Sequence, residues 1–207
     1  RTKVVWGTLT ASMTLVGGML YALAGGPPGP SHAGVALSPL VATSTPGSFE
    51  AIFRTRAPID AAWAGIVVHD AGLPAANAAD LDERARASGL TGLGHHFVVG
   101  NGSGMGDGEI HVGYRWLDQL PGAHVAGSRG DHLNRSTIGI CLVGDGDRRG
   151  FTDEQIRRAA QLTATLADRL EIPDGAIIAH RDVAPTTSPG RFFPWATFIE
   201  QVRALRR

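Results

Sequence analysis

"IIAHRDVAPTTSPGRFFPW", residues 177–195, changes character at one histidine. The short apolar run from Ala176 to His180 ends on an imidazole, and eight residues later Ser188 opens a Ser-Pro-Gly turn. An earlier run, "GIVVH" from Gly65 to His69, has the same form. Continuous apolar runs of this length are what strands buried on both faces of a parallel sheet look like. In an open α/β sheet, ligands collect at the carboxyl ends of the strands. If these two strands are neighbours, His69 and His180 converge on one crevice, as a shared zinc ion would need. The other reading of the spacing is a pair of hydrogen-bonded polar residues at strand ends.

Working outward, the elements alternate. "AADLDERARAS" (Ala78 to Ser88) reads as a short helix and "HFVVG" (His96 to Gly100) as a strand. The glycine-rich "NGSGMGDG" reads as a turn and "EIHVGYRW" as the returning strand of a hairpin. That turn has neither the Lys-Ser/Thr ending of a phosphate loop nor the oxygen spacing of a calcium loop. "STIGICLVG" (Ser136 to Gly144) is apolar enough to be central. Thr152 and Gln155 have capping-box spacing ahead of a helical period through Leu170, and Pro194 opens a last helix through Leu205. The expected order is β-α-β-β-β-α-β-α, an α/β fold with a central mixed β-sheet and flanking helices.

At 207 residues the chain suffices for one such domain with additional sequence. Nineteen basic residues balance nineteen acidic ones, so no electrostatic footprint for nucleic acid is present. The lone Cys141 makes no internal disulfide and no thiolate zinc knuckle, which leaves any metal to His, Asp, Glu or neutral oxygens.

The first 24 residues are of another kind. Val4 to Ala24 carries no charge and as a helix is about 30 Å long, the thickness of a bilayer core. Arg1 and Lys3 precede it and no Lys or Arg follows until Arg54, which orients the later chain away from the cytoplasm. Residues 1–24 are therefore expected to be an N-terminal hydrophobic helix. It is either a retained transmembrane anchor or a signal peptide cut after Ala22-Leu23-Ala24. Residues 25–48, rich in Gly, Pro and Ser, read as a flexible linker, and the folded domain as residues 49–207. The domain is then exported to the periplasm or cell envelope, or held outside on the cytoplasmic membrane.

Five segments carry a resemblance: "IVVHDAG", "GLGHHFVVGNGSG", "PGAHVAG", "NRSTIGICLVGD" and "AHRDVAPTTSPGRFFPW". In this order and spacing, from Phe49 to Arg207, the chain resembles the family of zinc N-acetylmuramoyl-L-alanine amidases and animal peptidoglycan recognition proteins. The resemblance implies peptidoglycan as the partner and zinc as the cofactor, with hydrolysis of the amide between the muramic lactyl group and L-alanine. It also implies that His69 and His180 are zinc ligands and that Ser188 stands where the family has a Cys or Asp ligand. His95 takes the place of a Tyr that helps activate water, Thr186 that of a Lys or Thr beside the third ligand, and Cys141 that of a Glu found in other members. His124 matches a histidine that lines the substrate groove.

The substitutions divide the expectation. A neutral hydroxyl is a poor replacement for a thiolate or carboxylate, so Ser188 argues against tight zinc, as in the recognition proteins that bind without cutting. His95 could instead complete a three-histidine set or serve as general base; it could also be a wall of the cleft. Strand alternation is expected to turn Asp70 away from the crevice and His96 into the core, while Cys141 is a small core residue. His111 and His132 are expected at the surface. Export has a direct test: a reporter fused after Ala24 should be active outside the cytoplasm, and cytoplasmic activity would contradict the charge argument.

Overall fold

The computed structural model describes residues 35–37 and 46–206. The expected N-terminal helix and most of the expected linker lie outside the described residues. Six strands form one mixed sheet in the order β1-β4-β3-β5-β2-β6. They are β1 (Val35–Leu37), β2 (Gly65–Asp70), β3 (Phe97–Val99), β4 (Ile110–Val112), β5 (Thr137–Leu142) and β6 (Ile177–Ala179). Pairing is parallel from β3 through β5 and β2 to β6, and antiparallel from β3 to β4 and from β4 to β1. Val35–Leu37, within the stretch read as linker, supply β1.

Strand alternation divides β5 between two layers. Ile138, Ile140 and Leu142 face the larger core, where helix α4 (Asp153–Arg169) and helix α5 (Trp195–Leu205) supply Ile156, Leu162, Phe198 and Val202. Cys141 faces the thinner layer with Val98, Leu93 and Leu81 of helix α1 (Ala78–Ala87). His69 is the register partner of Cys141. The sheet's thin side is therefore the side that carries the imidazoles.

Helix α1 starts as its sequence dictates. Asn77 accepts the N–H groups of Ala79 and Asp80, and the Asp80 carboxylate accepts the Asn77 N–H in return. At α4 only half of the expected box forms. Thr152 Oγ1 accepts the Gln155 N–H at 3.0 Å, but the Gln155 side chain turns inward. Its amide donates to the carbonyls of Val99 and Val143 at 2.9 and 2.8 Å, joining the ends of β3 and β5. The Val99 carbonyl already accepts the Val143 N–H at 2.9 Å, so the Gln155 amide is its second donor and supplies the buried Val143 carbonyl as well, two bonds that outweigh one exposed capping bond.

Two further differences concern local geometry. "EIHVGYRW" is strand only to Val112; Tyr114–Leu117 is a helical turn, α2, because the indole of Trp116 is buried and donates to the Ile52 carbonyl. Gly130–Ser136 forms a helix, α3, that no hydrophobic period announces. Replacing Gln155 by Leu strands the Val143 carbonyl and takes one of two donors from that of Val99, and should cost about 1–3 kcal/mol in urea unfolding; an unchanged midpoint would show that the tie is dispensable.

Candidate functional site

His69 is next to last in β2, and His180 follows directly on β6 as the first residue of a 3-10 turn, His180–Asp182. Because the two strands pair in parallel, the rings meet with centroids 4.3 Å apart. His95 and His124 bring two more imidazoles to within 4.8 and 4.9 Å of His69. His124 gets there because Gly139 has no side chain: a Cβ at that position would run into the imidazole. The loop carrying His124 is pinned by Asn134, whose Oδ1 accepts the N–H groups of His124 and Val125.

The hydrogen bonds fix the tautomers. The Thr137 carbonyl can only accept, so His124 donates to it through Nε2 at 3.2 Å. Neutral His124 then offers Nδ1 as an acceptor, and His69 donates Nε2–H to it at 3.0 Å. His69 is left with an unprotonated Nδ1. A carbonyl behind an imidazole that orients a second imidazole is the kind of support that metal-binding histidines receive. Nε2 of His180 is buried with no hydrogen-bond partner.

The third donor is different. Ser188 Oγ accepts the backbone N–H of Asp70 at 3.1 Å, and Asp70 Oδ2 accepts the N–H of Gly146 at 3.0 Å. Asp147 continues this closure, accepting from Thr187 Oγ1 at 2.5 Å and from the Arg191 N–H at 3.1 Å. The loop after His180 is thus tied to the ends of β2 and β5 by neutral and carboxylate acceptors. Among the described residues, no three His, Cys, Asp or Glu side chains are arranged to hold a metal ion. Two imidazoles suit zinc, but the set they belong to lacks an anionic third donor. His95, weighed as a substitute, stands with its ring 4.8 Å from that of His69.

Other expected residues fall as follows. Thr186 is exposed, and its hydroxyl accepts the Ser188 N–H at 3.2 Å. His124, expected to line a groove, is 7% exposed and stands behind His69, with both ring nitrogens engaged inside. His96 is fully buried, accepting from Gly139 N–H and bonded to the Leu120 carbonyl, a satisfied core histidine. His111 is half-buried on β4 and so departs from the surface placement expected of it, whereas His132 is exposed. Asp70 is not turned wholly away: it lines, with His95, a groove of about 220 Å³ whose other walls include Leu81, Leu90 and Leu93. The buried thiol of Cys141 is pushed beyond the ordinary range by burial and by Asp70, which makes it a poor nucleophile. Sequence reading missed Gly139, Asn134 and Asp147, since each acts through a neighbour that only the fold brings to it.

Burial is the largest influence on every imidazole of the cluster and keeps it uncharged. His95 is lowered to about 3, by burial and then by His124 and His180. His124 is lowered to about 4, again first by burial. His69 and His96 lie well below the usual range, and Asp70 partly opposes the lowering at His180.

The chain's relatives can now be set beside this geometry. Residues 59–191 match the family described as N-acetylmuramoyl-L-alanine amidase. The endolysin of Enterobacteria phage T3 is 32% identical over 110 residues, half of this chain and 63% of that protein. Peptidoglycan-recognition protein SC2 of Drosophila melanogaster is 30% identical over 103 residues, 49% of this chain and 50% of that protein. The chain thus spans about half to two-thirds of the length of these relatives. Among solved structures, the endolysin N-acetylmuramoyl-L-alanine amidase LysCS from Clostridium intestinale superposes with a TM-score of 0.54 at 22% identity, covering 71% of this chain and 89% of that one. Bumblebee PGRP-SA gives 0.52 at 17% identity, covering 67% and 81%. At these identities the two structures speak for the fold.

An uncharged cluster has a consequence for acid stability. Unfolded histidines titrate near 6.5, so as pH falls the unfolded chain takes up protons before the folded one does. The stabilisation is complete above about 6.5 and is lost as pH falls towards about 4, where His124 charges. The urea midpoint should fall across that window; a flat profile would show that the cluster is charged in the fold.

Proposed function

Since the chain belongs to the N-acetylmuramoyl-L-alanine amidase family, we propose that its folded domain binds the muramyl peptide of bacterial peptidoglycan in the groove beside His69 and His180, without a tightly held zinc ion. The observation that carries this reading is the state of Ser188. Its hydroxyl is neutral and already accepts the Asp70 N–H, so the loop is closed by a hydrogen bond at the position where the family resemblance calls for a ligand. Hydrolysis of the lactyl-L-alanine amide would need a polarised carbonyl and a water made acidic, chemistry that a zinc ion supplies. The groove residues alone supply less: His95 is an uncharged imidazole at its wall, able to accept a proton or donate to a carbonyl.

A second reading, zinc-dependent hydrolysis, has an observation of its own. His69 presents an unprotonated Nδ1, and His180 a buried Nε2 with no hydrogen-bond partner. The two readings keep peptidoglycan as the partner and differ in the metal. The N-terminal charge asymmetry supports an exported domain, secreted or anchored, which is the compartment where that partner lies.

The test uses purified sacculi and metal analysis together. The full chain should sediment with sacculi equally well in chelator and in zinc, release no muropeptides, and carry substoichiometric zinc. Ser188→Cys supplies a thiolate at the third position and should raise zinc affinity by at least about 10–100-fold. Wild-type protein that holds one zinc per chain and releases stem peptide would establish the second reading instead.

A further inference from the structure

A second concave surface opens where β3 and β5 end. The two strands are neighbours in the sheet, yet β3 continues to β4 on one side while β5 continues through α4 to β6 on the other. Chains that leave adjacent carboxyl ends in opposite directions open a crevice, and in α/β sheets such a crevice is where ligands bind. Asn101 and Ser103 line it from the loop after β3, and Arg149, Phe151, Thr152 and Gln155 from the approach to α4 and its first turn. It shares no lining residue with the groove beside the imidazoles. Its volume of about 210 Å³ is below the roughly 300–1,000 Å³ of pockets for drug-sized ligands, which leaves room for one small ring.

The rim is fixed at one atom. The Pro74 carbonyl accepts from Asn101 Nδ2 at 3.0 Å and from Arg149 Nη2 at 2.8 Å, so the two loops are held to a common point. Phe151 is half-buried, set edge-to-face against Phe193 with centroids 5.4 Å apart, and it lies against Gly144, where a Cβ would meet its ring. Gln155 is fully buried. Its amide nitrogen is spent on the Val99 and Val143 carbonyls, and its Oε1 has no hydrogen-bond partner. An acceptor left over in the lining of a polar crevice calls for a donor from a ligand.

These groups make three demands. Arg149 and the N-terminus of α4 favour an acceptor, but Asp153 and Glu154 in the first turn oppose a bound anion. Gln155 asks for a donor, and Phe151 offers an apolar face. A sugar ring has hydroxyls that both donate and accept around an apolar C–H face, whereas an inorganic anion has no such face. We infer that this crevice is a second binding site and takes one neutral hexopyranose ring, stacked on Phe151, with hydroxyls that donate to Gln155 Oε1 and accept from Arg149. No bond is made or broken in this recognition. The inference does not rest on the muramyl-peptide reading, which concerns the groove on the other side of Pro74.

The experiment titrates the isotope-labelled full chain by NMR with methyl β-glucopyranoside, glycerol and inorganic phosphate in turn. The glucoside should shift the Gln155 side-chain amide and the Gly144 and Gly150 N–H signals with a dissociation constant on the order of 1–10 mM, and leave the His95 ring signals in place. Glycerol has hydroxyls without a ring and should bind at least about tenfold more weakly. Arg149→Met removes the guanidinium from an exposed position; it should weaken glucoside binding about tenfold and keep the wild-type melting temperature. The assignment is overturned if the glucoside leaves these signals unmoved, if glycerol or phosphate binds there as tightly, or if Arg149→Met keeps full affinity. Glucoside shifts confined to His95 and α1 also overturn it, since they put the sugar in the groove.

Discussion

Parallel hydrogen bonding of β2 to β5 on one side and to β6 on the other places Gly65–Asp70 between two neighbours, with Ile66 facing Ile138 in one and Ile177 in the other. A strand so enclosed must be apolar on both faces until it leaves the sheet. Its polar residues are therefore pushed to the carboxyl end, and the same holds for β6. His69 and His180 meet because two strands with this requirement are adjacent. The parallel direction matters as much as the adjacency, since antiparallel pairing would set the two imidazoles at opposite ends of the sheet.

From this pairing the thin layer follows. Helices α4 and α5 cover one face thickly, whereas the His69 face has only α1 and the loops around His95 and His124. The imidazoles fill that space as uncharged, mutually oriented groups. The order runs from the Thr137 carbonyl through His124 to His69, so a backbone atom of β5 determines which nitrogen of a β2 side chain faces the groove. Gly139 is the silent partner in this chain, admitting His124 by having no Cβ.

Much of this was legible in the sequence, for identifiable reasons. β2, β5 and β6 announce themselves because burial on two faces leaves no alternation, and α4 does so through Thr152 and helical periodicity. The positions of His69, His180 and Ser188 were readable because each abuts an unambiguous element or turn. What escaped detection depends on partners distant in sequence. The inward turn of Gln155 answers two strand-end carbonyls, and the α2 turn answers the burial of Trp116 against Ile52. His124 was expected in the groove from the family resemblance, and the sequence does not show that β5 would approach closely enough to enclose its ring. The Ser188 hydroxyl looked like a vacant ligand, and the sequence had no means of showing that Asp70 N–H would claim it.

The pairing of Val35–Leu37 with β4 has a consequence for the edge of the sheet. β4 bonds to β3 through one of its sides, and β1 takes the other. An open strand side presents a row of unused amide and carbonyl groups, a template on which a second chain can lie. Proteolytic trimming back to Phe49 would remove β1 and leave that template bare, although every residue of the groove would survive. The trimmed domain would keep its groove, and the open edge of the sheet would move from β1 to β4. A three-residue segment inside a stretch that reads as a connector thus decides which strand forms that edge of the sheet.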